Sequence, residues 1–324
     1  MRYLFGFLCV CALGVVPLVG CNETAGTGGS GGTGGTGGSP PPAQFAYVAN
    51  GTSNDVSQYS IGADGTLNPL APATVGAGLA PFSIAVAPSG PFAYVANFDT
   101  VSQYRVGADG TLSSLTPATV PAGDRTYSVT VDPQGRFAYV ANGASDDVSQ
   151  YSIEAEGTLS PLTSATVAAG NRPSSVAVDP QGQFVYVANW DSDNVTQYSI
   201  EADGTLSPLT PATVAAGNGP SSVTVDPSGQ FAYVGNVLSP DVSQYSVEAD
   251  GTLSPLAPPT VATGDAPVSV TVDPSGQFAY VASENSSDVS QYRIEADGHL
   301  TPLVPAEVDA GRHPTAITTV AALE

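Results

Sequence analysis

The sequence contains no lysine, and all 7 of its Lys or Arg side chains are arginines, against 29 aspartates and glutamates. The formal net charge of −22 therefore makes the surface strongly acidic. Such a surface repels a phosphate backbone, so we expect no nucleic-acid partner. Attachment to anionic lipid through protein charge is disfavoured for the same reason.

Cysteine is absent after position 21, since the three cysteines are Cys9, Cys11 and Cys21. The rest of the chain can form no disulfide, no thiolate zinc site and no thiol nucleophile. Charged residues are also scarce, at 11%, whereas there are 36 glycines and 28 prolines. This composition is typical of an all-β protein with many turns.

An apolar run over residues 3–19 follows a single positive residue, Arg2. It is too short and too weakly flanked for a membrane span and is typical of a secretory signal. Its end, Leu-Val-Gly-Cys at residues 18–21, resembles the lipobox of bacterial lipoproteins. The resemblance implies cleavage before Cys21 and lipidation of its thiol. In a Gram-negative envelope, Asn22 in place of aspartate implies the outer membrane or cell surface. An uncleaved anchor and an ordinary signal are the alternatives.

A Gly/Ser/Thr/Pro-rich segment over residues 25–42 comes next. Such segments behave as flexible coil because they bury no apolar surface. We therefore predict a signal peptide over 1–20, a tether over 21–44 and a folded domain over 45–324.

The folded domain is a repeat that begins each time with FAYVAN or a near-copy of it. The opening phenylalanines are spaced by 47, 45, 47, 47 and 47 residues, which indicates a repeat architecture. They are Phe45, Phe92, Phe137, Phe184, Phe231 and Phe278.

One unit, read from Pro220, holds four strand-like segments: SSVTV, FAYVGN, DVSQYSV and TLSPLAPPTV. Asp-Pro-Ser-Gly at 226–229 is a type I turn signal, and Ala-Asp-Gly at 249–251 is typical of a three-residue hairpin loop. Prolines in the last segment favour an outer edge strand. The sequence therefore predicts a six-bladed β-propeller of four-stranded antiparallel blades. In FAYVAN, Phe and Tyr point to one face, so they should pack against the small face of the next blade.

The chain begins this pattern at a second strand and ends after a first strand. We therefore predict that residues 314–320 pair with residues 45–50, so that the C-terminal strand completes the first blade and closes the ring. An open solenoid is the alternative.

The full pattern, P-x-S-V-x-V-D-P-x-G-x-F-x-Y-V-A-N, then V-S-Q-Y and A-D-G-T-L-S-P-L, resembles the bacterial lactonase-type propellers with YVTN repeats. The resemblance covers residues 45–324 and implies a 6-phosphogluconolactonase-like fold. That branch usually has seven blades and carries Arg and His at the start of the innermost strand. Here the blade count is six, and those places read Pro-Ser-Ser at 173–175 and 220–222.

Candidate functional residues are those that break the repeat in the loops before each first strand. Arg125, Arg172, Arg312 and His313 fall in these loops and would ring one mouth of the propeller. Arginine suits carboxylate or phosphate, and His313 would be the general base of a hydrolase. Drift in exposed loops is the alternative. His299 should lie on the opposite face, in solvent.

The loops after FAYVAN carry eight aspartates and two aromatic residues. Trp190 and Phe98 would be exposed anchors for a protein or glycan on the same rim, with a locally packed loop as the alternative for Trp190. The carboxylates could hold Ca²⁺, but turn chemistry accounts for them equally well, so we predict no metal. They are Asp55, Asp99, Asp146, Asp147, Asp191, Asp193, Asp241 and Asp288.

The first functional interpretation is a lipid-anchored, extracytoplasmic binding or scaffold module, monomeric and without a cofactor. Its membrane contact would be the lipidated Cys21, and its ligand a protein, glycan or small anion. The alternative is a lactone hydrolase at the channel mouth, and a purely structural envelope component is the third interpretation.

Overall fold

The computed structural model describes residues 11–12, 44–62 and 64–319. Within these ranges the chain forms 24 β-strands and no helix, arranged as six four-stranded antiparallel sheets. The prediction of six four-stranded propeller blades is therefore confirmed. No helix in the described ranges could span a membrane. The other residues of the predicted leader, the predicted tether up to residue 43 and Cys21 lie outside them.

The six blades follow one another along the chain, and the four strands of each are sequential neighbours. Blade 1 contains β1 (Cys11–Ala12), β2 (Gln44–Asn50), β3 (Asp55–Ile61) and β4 (Leu67–Gly76). Blade 2 contains β5 (Ser83–Val86), β6 (Phe92–Ala96), β7 (Thr100–Val106) and β8 (Leu112–Pro121). Blade 3 contains β9 (Thr126–Val131), β10 (Phe137–Asn142), β11 (Asp147–Ile153) and β12 (Leu159–Ala168). Blade 4 contains β13 (Pro173–Val178), β14 (Phe184–Asn189), β15 (Asn194–Ile200) and β16 (Leu206–Ala215). Blade 5 contains β17 (Pro220–Val225), β18 (Phe231–Asn236), β19 (Asp241–Val247) and β20 (Leu253–Ala262). Blade 6 contains β21 (Pro267–Val272), β22 (Phe278–Ser283), β23 (Asp288–Ile294) and β24 (Leu300–Asp309).

The FAYVAN strands supply the core between blades, as the alternation of large and small residues predicts. Phe137 and Tyr139 of blade 3 pack in one cluster with Val185 and Val187, which lie on the small face of β14 in blade 4. Because side chains alternate along a strand, a single strand can present a bulky face to one neighbour and a shallow face to the other. FAYVAN is therefore core packing.

Buried hydrogen bonds tie each blade to the next. The hydroxyl of the FAYVAN tyrosine donates to the carbonyl oxygen of a hairpin glycine in the next blade. Two residues after that glycine stands a leucine, whose N–H donates to the side-chain oxygen of a buried glutamine in the preceding blade. The tyrosine bonds are Tyr47–Gly110, Tyr94–Gly157, Tyr139–Gly204, Tyr186–Gly251 and Tyr233–Gly298. The glutamine bonds are Gln58–Leu112, Gln103–Leu159, Gln150–Leu206, Gln197–Leu253 and Gln244–Leu300.

Blades 6 and 1 do not pack against each other in this way within the described residues. The equivalent partners would be Tyr280 with Gly65 and Gln291 with Leu67, yet a Cβ added to Gly65 would have no atom within 4 Å. Leu67 is 52% exposed, whereas the equivalent Leu112 is 5% exposed. The described structure is therefore a row of six blades with five packed interfaces.

The predicted closing strand is wrong for this structure. The first-strand position of blade 1 is taken by β1, with Cys11 opposite Val48 and Ala12 opposite Tyr47. Residues 314–319 form no ladder with β2. They lie beside β21 instead, where the N–H of Ile317 donates to Ser269 Oγ at 3.2 Å, as Val270 does to Ser222 one blade earlier. Residues 314–319 therefore follow blade 6 in the row of blades. They do not pair with the edge of β2, because blades 6 and 1 are not packed together.

Candidate functional site

Six six-residue loops, each following the fourth strand of a blade and here called the leading loops, share one backbone conformation. They are residues 76–81, 121–126, 168–173, 215–220, 262–267 and 309–314. In each, the fifth residue has a φ between 48° and 64°, in the left-handed region. This region favours glycine, and side chains there are uncommon. The six positions are Ala80, Arg125, Arg172, Gly219, Ala266 and His313. Arg125, Arg172 and His313, three of the four predicted cationic residues, therefore occupy equivalent positions in three leading loops.

Loop carboxylates hold these leading loops in place. Asp146 Oδ1 accepts the N–H of Arg172 at 2.7 Å, and Asp193 Oδ1 accepts the N–H of Gly219 at 2.8 Å. Asp147 accepts the amide of Asn142 at 2.6 Å; burial raises the pKa of its carboxyl, and the carboxylates of Asp146 and Asp124 add to that rise. These aspartates have structural partners, and no group of three or more His, Cys, Asp or Glu that could hold a metal occurs in the described part of the chain.

A cavity of about 600 Å³ opens on the face of the molecule that carries the leading loops, between the loops that lead into blades 3 and 4. It brings together two of the predicted arginines with two carboxylates. Its lining residues are Arg125, Tyr127, Gly143, Ala144, Asp146, Asn171, Arg172 and Asp191.

Gly143 makes room for the Tyr127 ring on the wall of this cavity. It follows the second strand of blade 3, at the position that Trp190 and Val237 occupy in the next two blades. The Tyr127 ring lies where a side chain would be, since a Cβ on Gly143 would stand 2.2 Å from Tyr127 Cε2. The lack of a side chain at this repeat position therefore accommodates the Tyr127 ring, which lines the cavity between the two blades.

Arg172 is held on the wall of the cavity. Its guanidinium carbon lies 5.0 Å from the centroid of the Trp190 ring, and its Nη1 lies 3.8 Å from Asp191 Oδ1. Trp190 itself is only 8% exposed and packs with Val237 and Ala266. The locally packed alternative for Trp190 is therefore the one observed, and its ring is not an exposed anchor for a partner.

Arg125 has no ion pair or side-chain hydrogen bond among the described residues. Arg105, Arg136 and Arg293, in contrast, stack on phenylalanine rings of their own blades. Arg125 is exposed and lines the cavity. Its guanidinium is therefore available to an oxygen atom of a ligand.

The other two predicted cationic residues are not in this cavity. Arg312 and His313 belong to the last leading loop, both are exposed, and neither lines the cavity. His313 Nδ1 lies 3.8 Å from Glu284 Oε1. The predicted ring of Arg and His is therefore split into a pair in blades 3 and 4 and a separate His–Glu contact after blade 6. His299 Nδ1 lies 3.1 Å from Asp297 and its side chain is mostly covered, so it is not simply solvated.

Phe98 is exposed, as predicted, and its N–H donates to the carbonyl of Leu79, which is exposed as well. Sequence reasoning missed Tyr127, Asn171 and Gly143 as parts of one site. The signal for Gly143 was present, because it is a glycine at a position where the next three copies have a side chain. Tyr127 gave a weaker one, since Ser174 and Ser221 stand at its position in the next two copies.

Comparison with known proteins assigns the family. A family model described as lactonase, 7-bladed β-propeller, matches residues 40–317. The chain belongs to the lactonase family. It departs from the family description in having six blades within the described residues. No curated protein matches this lactonase-family chain.

Solved structures share its fold at low sequence identity. A candidate 6-phosphogluconolactonase from Bacteroides fragilis is 21% identical with a TM-score of 0.73, over 84% of this chain and 83% of that one. A protein from Lactobacillus plantarum is 22% identical with a TM-score of 0.71, over 84% of each chain. The periplasmic gluconolactonase PpgL of Pseudomonas aeruginosa is 21% identical with a TM-score of 0.54, over 80% of this chain and 93% of that one. At these identities the similarity shows the fold.

Proposed function

We propose that this protein hydrolyses a sugar lactone in the cavity between blades 3 and 4. The observation that carries the proposal is the Arg125 guanidinium, which has no ion pair among the described residues and lines one cavity with Asp146 and Asp191, in a chain of the lactonase family. The family match favours hydrolysis over the binding module that the sequence alone favoured.

The chemistry requires a proton acceptor and a group that stabilises negative charge. Water bonds to the lactone carbonyl carbon, and Asp146 or Asp191 accepts a proton from it. Arg125 stabilises the charge that develops on the carbonyl oxygen. The ring C–O bond then breaks, the proton passes to the departing ring oxygen, and the product is the hydroxy acid.

The test is to incubate the full-length protein with a panel of lactones and to measure the rate of hydrolysis by titrating the acid that is released. The panel contains gluconolactone and its 6-phosphate. We expect Arg125→Ala to lower kcat/KM by about 100-fold, the usual effect of losing an oxyanion donor. Arg312→Ala, an exposed leading-loop arginine outside the cavity, should leave the rate unchanged. Background rates on every lactone, or equal rates for the two variants, would contradict the proposal.

We also propose that the enzyme works outside the cytoplasm, attached through a lipidated Cys21. The cleavage before Cys21 that this lipidation implies would remove β1 (Cys11–Ala12) from blade 1 of the mature protein. The lipobox-like end of the leader and the acyl-chain energetics of about 0.8 kcal/mol per buried methylene support this proposal. Cells fed a labelled fatty acid should label the wild type and not Cys21→Ser. Equal labelling of both proteins would exclude Cys21 as the anchor.

A further inference from the structure

Each of the first five blades has an asparagine at the end of its second strand or directly after it. The side-chain amide of this asparagine donates hydrogen bonds to two oxygen atoms. In blade 3, Asn142 Nδ2 donates to Asp147 Oδ1 at 2.6 Å and to Ser149 Oγ at 2.8 Å. Blades 1, 2, 4 and 5 repeat this pattern with the asparagines Asn50, Asn97, Asn189 and Asn236.

Blade 6 has Ser283 at this position and therefore lacks the amide. Ser283 is 0% exposed and Asp288 is 8% exposed, and neither Ser283 Oγ nor Asp288 Oδ1 has a hydrogen-bond partner among the residues that the structure describes. A buried acceptor without a partner is costly, and a charged one more so. The pair therefore calls for a group that replaces the amide.

The oxygens around this position lie close together beside Gly264. Asp288 Oδ1, Ser286 Oγ and Ser283 Oγ lie 2.4, 2.5 and 2.7 Å from the point that a Cβ on Gly264 would occupy. At Gly123 the corresponding point lies 2.7 Å from Asn142 Nδ2, so the three oxygens surround the place of the missing amide. Thr263 stands where the other leading loops have alanine, and it places another hydroxyl nearby by donating to Ser290 Oγ at 2.9 Å.

We propose that this cluster, the Ser283 site, binds a monovalent cation, Na⁺. Hard cations take oxygen ligands, and divalent ions normally need several carboxylates. The Ser283 site offers only oxygens and one carboxylate, so a single positive charge balances Asp288. The net charge of −22 favours the local accumulation of cations. The exposed Ser286 gives the ion a route from solvent.

The test is the thermal midpoint of the full-length protein in sodium chloride and in choline chloride at one ionic strength. We expect Na⁺ to raise the wild-type midpoint by about 3 °C at tenfold saturation. Ser283→Asn restores the amide of the other blades, so it should have the higher midpoint in choline and no response to Na⁺. The ²³Na resonance should broaden with the wild type and not with this variant.

Equal midpoints in the two salts would overturn the proposal, as would a Na⁺ response that survives in Ser283→Asn. Either result would mean that water or a rearranged side chain satisfies Asp288. Lactone hydrolysis is a separate measurement, so its failure leaves this test intact.

Discussion

The hydroxyl of Tyr186 in blade 4 donates a 2.7 Å hydrogen bond to the carbonyl oxygen of Gly251, in the third-to-fourth-strand hairpin of blade 5. The same hairpin glycine lies against Phe184 of blade 4. One strand therefore meets the next blade through both a polar and an apolar contact, and five of the six blades reach their successor in this way. The equivalent residues of blades 6 and 1, which make no such contact within the described residues, supply matched controls.

Loss of the Tyr186 hydroxyl should destabilise the protein by about 1–2 kcal/mol, because it leaves a buried carbonyl without its donor. Tyr186→Phe should lower the urea midpoint accordingly. Tyr280→Phe removes the same atom at the repeat position where no such bond is formed, so it should have little effect. Equal losses from both variants would refute the assignment of the effect to the interface.

A methyl group on Gly251 should destabilise the protein more than one on Gly65. Both glycines are left-handed, with φ of 84° and 80°, so alanine costs each about 1–2 kcal/mol of backbone strain. The Cβ on Gly251 would also stand 2.2 Å from Phe184 Cδ1, whereas that on Gly65 meets nothing within 4 Å. Gly251→Ala should lose a further 1–3 kcal/mol, roughly, through overpacking. Unfolding curves that coincide for the two variants would contradict the packing argument.

Stability should fall steeply in alkali. Burial raises the pKa of Tyr104, Tyr151 and Tyr245 to about 12, from an unfolded value of about 10. The neutral tyrosines stabilise the folded state fully below pH 10, and this stabilisation is lost as the pH rises from 10 through 12. Denaturant midpoints between pH 9 and 12 should show the decline, and Tyr151→Phe should make it shallower. A midpoint that stays constant to pH 12 would rule out these pKa shifts.

A methyl group on Gly143 should impair hydrolysis. It would displace the Tyr127 ring, which lines the cavity, and a misplacement of this size can cost tenfold or more in rate. Gly143→Ala should therefore lower kcat/KM by about tenfold. Gly76→Ala, which meets no atom within 4 Å, is the control. Unchanged hydrolysis by Gly143→Ala would place the reaction elsewhere.

The sequence by itself determined the blade. The Asp-Pro-Ser-Gly turn at 226–229 and the alternation of Phe and Tyr with Ala and Val are local chemistry, and local chemistry repeats whenever the residues do. The N–H of Gly229 accordingly donates to the carbonyl oxygen of Asp226 at 2.9 Å, the bond that marks this turn, and Asp226 Oδ2 accepts the N–H of Ser228. Six copies of one unit could be counted before any coordinate was known.

Only the tertiary structure decided how the blades meet and what lies between them. Whether residues 314–319 reach β2 depends on rotations summed over five interfaces, which no single repeat encodes. The burial of Trp190 is set by Val237 and Ala266 from other blades. The cavity beside Arg125 is lined by residues of blades 3 and 4 together. These contacts join residues of different repeats, and their geometry follows from packing between blades.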